Sequence, residues 1–303
     1  MAEKTVIALG FFDGVHIGHG ALLRKTVERA RELDIAAHGA AEHRIAPAAF
    51  TFDRAPEEFV TGVPVPLLTT VAERCALIRA LYGIENTIVA PFDRAMMTLP
   101  WRDFLEQLVE RRGAAWLVAG HDYRFGYKNE GTPEILRDWC AAHGLGCDII
   151  PKVVLRGVTV SSTHIRALVE SGDMEEAAAF LGHPYAVTGV VTHGRGIGTR
   201  RLFPTVNLTP EPSRVVPKHG VYAARATLPD GGIFAGVTNV GVRPTVSSDG
   251  TVSIETHLID YSGDLYGKEI KVDFLRRLRE ERKFATTEEL HRQIEQDIAR
   301  SRA

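Results

Sequence analysis

The run Gly10-Phe11-Phe12-Asp13-Gly14-Val15-His16-Ile17-Gly18-His19 constrains this chain more than any other stretch. It follows Thr5-Val6-Ile7-Ala8-Leu9, an apolar run that reads as a buried strand. It precedes 21–33, where Leu22, Leu23, Val27, Ala30 and Leu33 fall at helical spacing. Two histidines therefore sit where a strand turns into a helix. A helix N-terminus offers free backbone N–H groups and about half a positive charge, which together make an anion site. Gly10 and Gly14 suit the turn. Gly18 has no Cβ, so a phosphate can approach the backbone there. His16 and His19 can donate to that phosphate, and more strongly as charge builds in a transition state.

At 303 residues the chain is long for one domain, and two are expected. An apolar fraction of 45% supports a real core and excludes disorder. With 36 basic and 38 acidic residues the net charge is −2, so no large basic field is implied, which argues against nucleic acid as a partner. The N-terminus carries no signal-peptide pattern, and no apolar run reaches the roughly 18 residues that span a bilayer. The expectation is a cytoplasmic protein that meets neither nucleic acid nor membrane. Cys75, Cys140 and Cys147 form no Cys-x-x-Cys pair and read as small buried hydrophobes.

The first half alternates strands (48–52, 87–90, 116–119, 147–154) with helices (71–82, 100–111, 132–143). This predicts a parallel sheet flanked by helices, with ligands beyond the carboxyl ends of its strands. Most of 36–49 reads as loop. The pattern changes near Pro184. Strand-like runs crowd at 185–192, 205–208, 221–228, 233–239, 252–259 and 269–274, with a hairpin turn at Pro229-Asp230-Gly231-Gly232. A closed antiparallel barrel is expected, followed by a helix. Thr286 and Glu289 suggest a capping box for that helix, with Leu290, Ile294 and Ile298 on one face.

Ser161, Ser162 and Thr163 supply hydroxyls at another helix start, and Arg166 follows one turn later. Hydroxyls and guanidinium both suit phosphate oxygens. Gly120-His121-Asp122-Tyr123-Arg124-Phe125-Gly126 lies between the two signatures. Further on, Gly194, Gly196 and Gly198 make a glycine-rich loop that can wrap phosphates. Thr205 and Asn207 alternate onto one strand face, where two neutral oxygens can hold a Mg²⁺ that already carries phosphates. Glu255 shares a strand face with Ser253 and His257.

Phe12-Asp13-Gly14-Val15-His16 with Gly18 and His19 resembles the nucleotidylyltransferase signature, and in particular the opening of bacterial FAD synthetases. The 120–126 and 160–166 segments resemble the same family. The ordered set Phe203-Pro204-Thr205-Val206-Asn207, Pro217 to Ala223, Thr238 to Thr245, Glu255 to Asp260, Gly263 to Lys268, Leu278-Arg279-Glu280 and Lys283-Phe284 resembles riboflavin kinase. Together these resemble bacterial bifunctional riboflavin kinase/FAD synthetases over nearly the whole chain.

The resemblance implies an α/β nucleotidylyltransferase-type, Rossmann-like domain at 1–184 and an antiparallel β-barrel kinase domain with a terminal helix at 185–303. It implies ATP, riboflavin and FMN as substrates and Mg²⁺ with ATP. His16, His19 and Arg166 would serve adenylyl transfer, and Glu255 would be the kinase base. ATP contacts would include Gly10, Phe12, Asp13, Gly14, Gly18, Ser161, Ser162 and Thr163 in the first site, and Gly194, Gly196, Gly198, Thr205 and Asn207 in the second. Asp122, Phe125, Arg279 and Glu255 would lie near flavin, and Thr205 and Asn207 would bind the metal.

The chain departs from the family pattern in places. Asp53-Arg54-Ala55-Pro56 lacks the usual histidine of Pro-His-Pro, and Arg201-Leu202 stands where Leu-Gly is common. Phe11 stands where Asn is frequent, and the segment before the first strand is short. An alternative is a nucleotidylyltransferase for another substrate, with a non-catalytic flavin- or partner-binding barrel.

Overall fold

The computed structural model describes residues 4–36, 45–192, 205–242 and 252–302. The chain divides into two compact units, Met1–Ser162 and Thr163–Ala303.

In the first unit, β1 (Lys4–Leu9) leads through a turn into α1 (Ile17–Ala36). Then come β2 (Ile45–Phe52), α2 (Pro56–Thr61), α3 (Val71–Tyr82), β3 (Asn86–Ala90), α4 (Arg94–Met97), α5 (Trp101–Arg112) and β4 (Ala114–Gly120). α6 (Pro133–Ala142), β5 (Gly146–Ile150) and a small antiparallel pair, β6 (Val154–Leu155) with β7 (Val158–Thr159), follow. The expected strand at 147–154 is thus two strands. Pro151, which has no N–H for the ladder, stands between them.

The five large strands are all parallel, in the order β3-β2-β1-β4-β5. The chain works outward from β1 to β3, then returns to the other side of β1 for β4. The carboxyl ends of β1 and β4 therefore flank the point where strand order reverses, which is where open α/β sheets bind ligands. Both faces of the sheet are buried. Ile7, Leu9, Phe50 and Leu117 pack with Phe104 and Leu105 of α5 and Trp139 and Cys140 of α6. Val6, Ala8, Ala49 and Val118 pack with Leu23 and Ala30 of α1 and Ile78 of α3. Each fully buried Ile, Leu or Phe contributes about 1.5–3 kcal/mol. α3 starts with a complete capping box, in which the Glu73 N–H donates to Thr70 Oγ and the Thr70 N–H to the Glu73 carboxylate.

α7 (Ser162–Ser171) begins on the last residue of the first unit. α8 (Met174–Leu181) follows, a short helix not among the expected elements. Its signals are an Asp173 N-cap, an apolar stripe of Met174, Ala177, Phe180 and Leu181, and Gly182 in the left-handed region at its end.

Strands β8 (Tyr185–Val190), β9 (Thr205–Leu208), β10 (Gly220–Thr227), β11 (Ile233–Val242), β12 (Val252–Leu258) and β13 (Glu269–Arg279) form one antiparallel sheet, ordered β8-β13-β10-β11-β12-β9. The sheet curls until its two edge strands nearly meet. Just past β8, the Thr192 N–H donates to the Asn207 carbonyl of β9 at 2.9 Å. The inner face is largely apolar, with Val206, Leu208, Tyr222, Val240, Ile254 and Phe274 all buried. The two threonines there, Thr238 and Thr256, satisfy each other at 2.9 Å.

α9 (Thr287–Arg302) ends the second unit. Thr286 Oγ accepts from the Glu289 N–H, but the Glu289 carboxylate takes the Ala285 N–H rather than that of Thr286, so the expected box is only half formed. Leu290, Ile294 and Ile298 are half-buried, while the fully buried positions are Gln293 and Asp297. Asp297 is 1% exposed, and its carboxylate accepts Nε and Nη2 of Arg279 at 2.8–3.1 Å and Nε2 of Gln293 at 2.9 Å. This ion pair fixes α9 to β13. Asp297→Ala would leave a mostly buried guanidinium without its carboxylate. Urea denaturation should show the second unit destabilised by about 2–3 kcal/mol, whereas Leu290→Ala should cost less than that.

Candidate active sites

The turn after β1 is strained. Phe12 (φ 57°), Gly14 (φ 78°) and Val15 (φ 42°) all lie in the left-handed region, which only glycine enters freely. Tertiary contacts hold it there. The Asp13 carboxylate is 2% exposed and accepts the backbone N–H groups of Leu68 and Thr69 and the Thr69 hydroxyl at 2.9–3.2 Å. The Gly14 N–H donates to Thr69 Oγ at 2.9 Å, and Ser162 Oγ donates to the Asp13 carbonyl at 3.0 Å. Asp13 thus faces the 68–69 loop and acts as the clamp of the turn.

The two histidines come together as one unit. Their rings stack with centroids 3.5 Å apart and planes 11° from parallel. The His19 N–H donates to His16 Nδ1 at 3.1 Å, so His16 caps the first turn of α1 and carries its proton on Nε2. Gly18 is needed for this packing, because a Cβ there would lie 3.1 Å from the His16 ring. The His19 ring meets the Phe12 ring edge-on at 5.3 Å. Burial first, then the neighbouring charges of His16 and Arg74, hold His19 well below the usual histidine pKa, so it is neutral.

The other expected residues of this unit are placed as follows. Ser161 and Ser162 stand at the start of α7. Thr163, beside Ser162 on the first turn, and Arg166, one turn on, belong to the second unit, where Arg166 Nη2 donates to Thr163 Oγ at 3.4 Å. Gly120 ends β4 at the switch point, and Asp122 follows it with its side chain 80% exposed. Phe125 is instead a core residue, 5% exposed, with Phe104 and Tyr123 rings within 5.8 Å.

The second site is a row across the barrel. Strand register places Arg279 (β13), Val221 (β10), Asn239 (β11), Glu255 (β12) and Asn207 (β9) directly opposite one another in sequence. Thr205 lies opposite His257 in the next row. Because Ile254, Thr256 and Val206 fill the barrel interior, Glu255, His257, Thr205 and Asn207 take the outer face. Glu255 is half-buried and accepts from Ser253 Oγ at 3.2 Å. Asn239 Nδ2 donates to Glu281 at 3.1 Å. Asn207 is 4% exposed, and its Oδ1 has no hydrogen-bond partner among the described residues. A buried amide oxygen without a donor, two residues from a threonine hydroxyl on the same face, suits a hard cation. Gly194, Gly196 and Gly198 lie outside the described residues, as do Phe203 and Pro204.

One functional candidate is invisible to sequence reasoning. Arg74, on the first turn of α3, is 0% exposed and reaches the end of β1. Its only sequence signal is its place after the Thr70–Glu73 capping box, which says nothing about burial.

A strained turn with a stacked histidine pair at the switch point of a parallel sheet, and a barrel with a carboxylate beside an amide oxygen that has no partner among the described residues, fit a two-unit nucleotide-dependent transferase. The FAD synthetase family model matches residues 1–164 and the riboflavin kinase model residues 181–303. The bifunctional riboflavin kinase/FMN adenylyltransferase of Pseudomonas fluorescens is 34% identical over 98% of this chain and 92% of its own length. That of Bacillus subtilis is also 34% identical, over 97% and 90%. The chain belongs to the family of bifunctional riboflavin kinase/FMN adenylyltransferases.

A crystal structure of a Streptococcus pneumoniae protein described as a macrolide-efflux protein has the same fold, with a TM-score of 0.85 at 27% identity over 100% of this chain and 95% of that one. Among the described residues here, no helix is long and apolar enough to cross a membrane.

The Asp13 clamp makes a separable prediction. Asp13→Ala leaves two buried N–H groups unsatisfied and frees the turn. Thermal or urea unfolding should show the first unit destabilised by about 2–4 kcal/mol, and FAD formation from FMN should fall while riboflavin phosphorylation persists.

Proposed function

We propose that this chain makes FAD from riboflavin in two ATP-dependent transfers, the first in residues 185–303 and the second in residues 1–184. In the first, the primary hydroxyl of the ribityl chain attacks the γ-phosphorus of ATP. Its proton goes to Glu255, and ADP leaves with the bridging oxygen. A primary alcohol is a poor nucleophile at neutral pH, so a positioned carboxylate base is worth about 10²–10⁴-fold. The observation that supports this most is the register that sets Glu255 directly beside Asn207, whose Oδ1 is buried and has no partner among the described residues. Asn207 and Thr205 would hold Mg²⁺, which neutralises charge on the phosphates. Arg279, locked to Asp297 at the far end of the row, would lie near the flavin.

In the second transfer, the FMN phosphate attacks the α-phosphorus of ATP and pyrophosphate leaves. No protein nucleophile is required, so alignment and charge stabilisation carry the catalysis. His16 presents its Nε2 proton as a donor, and the first-turn N–H groups of α1 add to it. Ser161 and Ser162 would supply further donors, and Asp122 would lie near the flavin. The near-neutral charge of the chain fits small-molecule substrates.

Glu255→Gln preserves shape and removes the base. Chromatography of flavins after incubation with riboflavin, ATP and Mg²⁺ should show FMN formation reduced by about 10²–10⁴-fold, with FMN adenylylation kept. A kinase rate within a few-fold of the parent would leave Glu255 a positioning residue at most.

A further inference from the structure

Arg74 presents a physical anomaly. Its side chain is fully buried, yet no carboxylate pairs with it among the described residues. Nη1 donates to the Phe11 carbonyl at 2.8 Å, to Thr51 Oγ at 2.8 Å and to the Phe52 carbonyl at 3.1 Å. The guanidinium lies 4.2 Å from the centre of the Phe11 ring. Nε and Nη2 have no acceptor among the described residues. A buried cation without a direct ion-pair partner is costly, and proteins that need only a filled space use an apolar side chain instead. The location gives the anomaly a direction. Phe11 follows β1, and Thr51 and Phe52 end β2, so Arg74 ties together two strand ends at the rim where the sheet binds ligands. Its charge also acts on His19.

We propose that Arg74 is a positioning residue for adenylyl transfer, a fixed buried cation that braces the Phe11 carbonyl behind the histidine pair and holds positive potential there for the ATP polyphosphate. This rests on the reading of His16 and His19 as the phosphate site. A guanidinium suits the role because its fork is rigid and its charge permanent, so it costs no reorganisation when the nucleotide arrives. With burial and His16, it also helps keep His19 from becoming a second cation. The groups whose charge bears on His19 are His16, on its own turn, and Arg74, from α3. Asp13, whose charge acts on Arg74, is already bonded to the 68–69 loop.

The test compares Arg74→Met with Arg74→Lys in the full chain, using FMN and ATP as substrates so that only FAD formation is read. Cooperative melting and riboflavin phosphorylation serve as checks on folding. Arg74→Met should lower kcat/KM for ATP by about 10–100-fold. It should also move the acid limb of the pH–rate profile upward, because removing the cation raises the pKa of His19. Arg74→Lys keeps the charge and loses the fork. It should leave the acid limb in place and recover part of the rate.

Equal losses in both variants with an unmoved acid limb would make Arg74 a structural brace only. Parent-like rates in both would overturn the proposal outright. If Arg74→Met does not fold, Arg74→Gln, which removes the charge and keeps a polar side chain, replaces it: an acid limb moved upward with lowered kcat/KM for ATP supports the role, and an unmoved acid limb or a parent-like rate refutes it. His19→Ala run in parallel separates the two ideas. If it keeps FAD formation, the phosphate-site reading fails and Arg74 falls with it. If only the Arg74 variants are silent, Arg74 alone is reassigned.

Discussion

The first unit depends on one buried carboxylate. Asp13 takes N–H groups from a loop 55 residues away and so holds a turn that its own backbone resists. Without that clamp Phe12 and Val15 would relax from the left-handed region, and the start of α1 would shift. The histidine stack is a consequence of this placement. His16 accepts the His19 N–H only because the turn delivers its ring over the glycine at 18. Sheet topology then makes the turn useful, since the end of β1 borders the switch point between β1 and β4.

The second unit solves a different problem with period-2 alternation. A small barrel must fill its interior with largely apolar side chains, and here only the mutually bonded Thr238 and Thr256 are polar among the inner residues named above, so Glu255, Asn207 and Asn239 fall on the outside. Register then sorts those residues into rows. Glu255, Asn207 and Asn239 meet because β9, β11 and β12 pair without a slip between them. The row ends at Arg279, and the buried Asp297 that neutralises it is what anchors α9. The outer face therefore carries both the polar row and the helix attachment.

Much of this is legible in the chain. The strand-turn-helix run predicts the first site because local sequence dictates it, and alternation places Thr205, Asn207 and Glu255 on shared faces without any tertiary information. The hidden parts are those that long-range contacts decide. The turn motif shows Asp13 as one more polar residue near a phosphate, but only the fold reveals that the 68–69 loop occupies its carboxylate. Phe125 looks available to a flavin until α5 and β4 enclose it. Arg74 sits in an ordinary helical heptad, and its burial follows from where α3 crosses the strand ends. Asp297 reads as a surface helix acid until β13 presents Arg279. In each case a charged or aromatic residue has two chemically sensible homes, and packing chooses between them.

If two independent sites act in sequence on one flavin, mixing two single-site variants restores the complete conversion. A chain carrying His19→Ala and a separate chain carrying Glu255→Gln are each given riboflavin, ATP and Mg²⁺, alone and then combined. The account predicts that the first stops at FMN, that the second forms little of either product, and that the mixture restores FAD. A mixture that still stops at FMN, or a single variant that loses both transfers while folded, would contradict it.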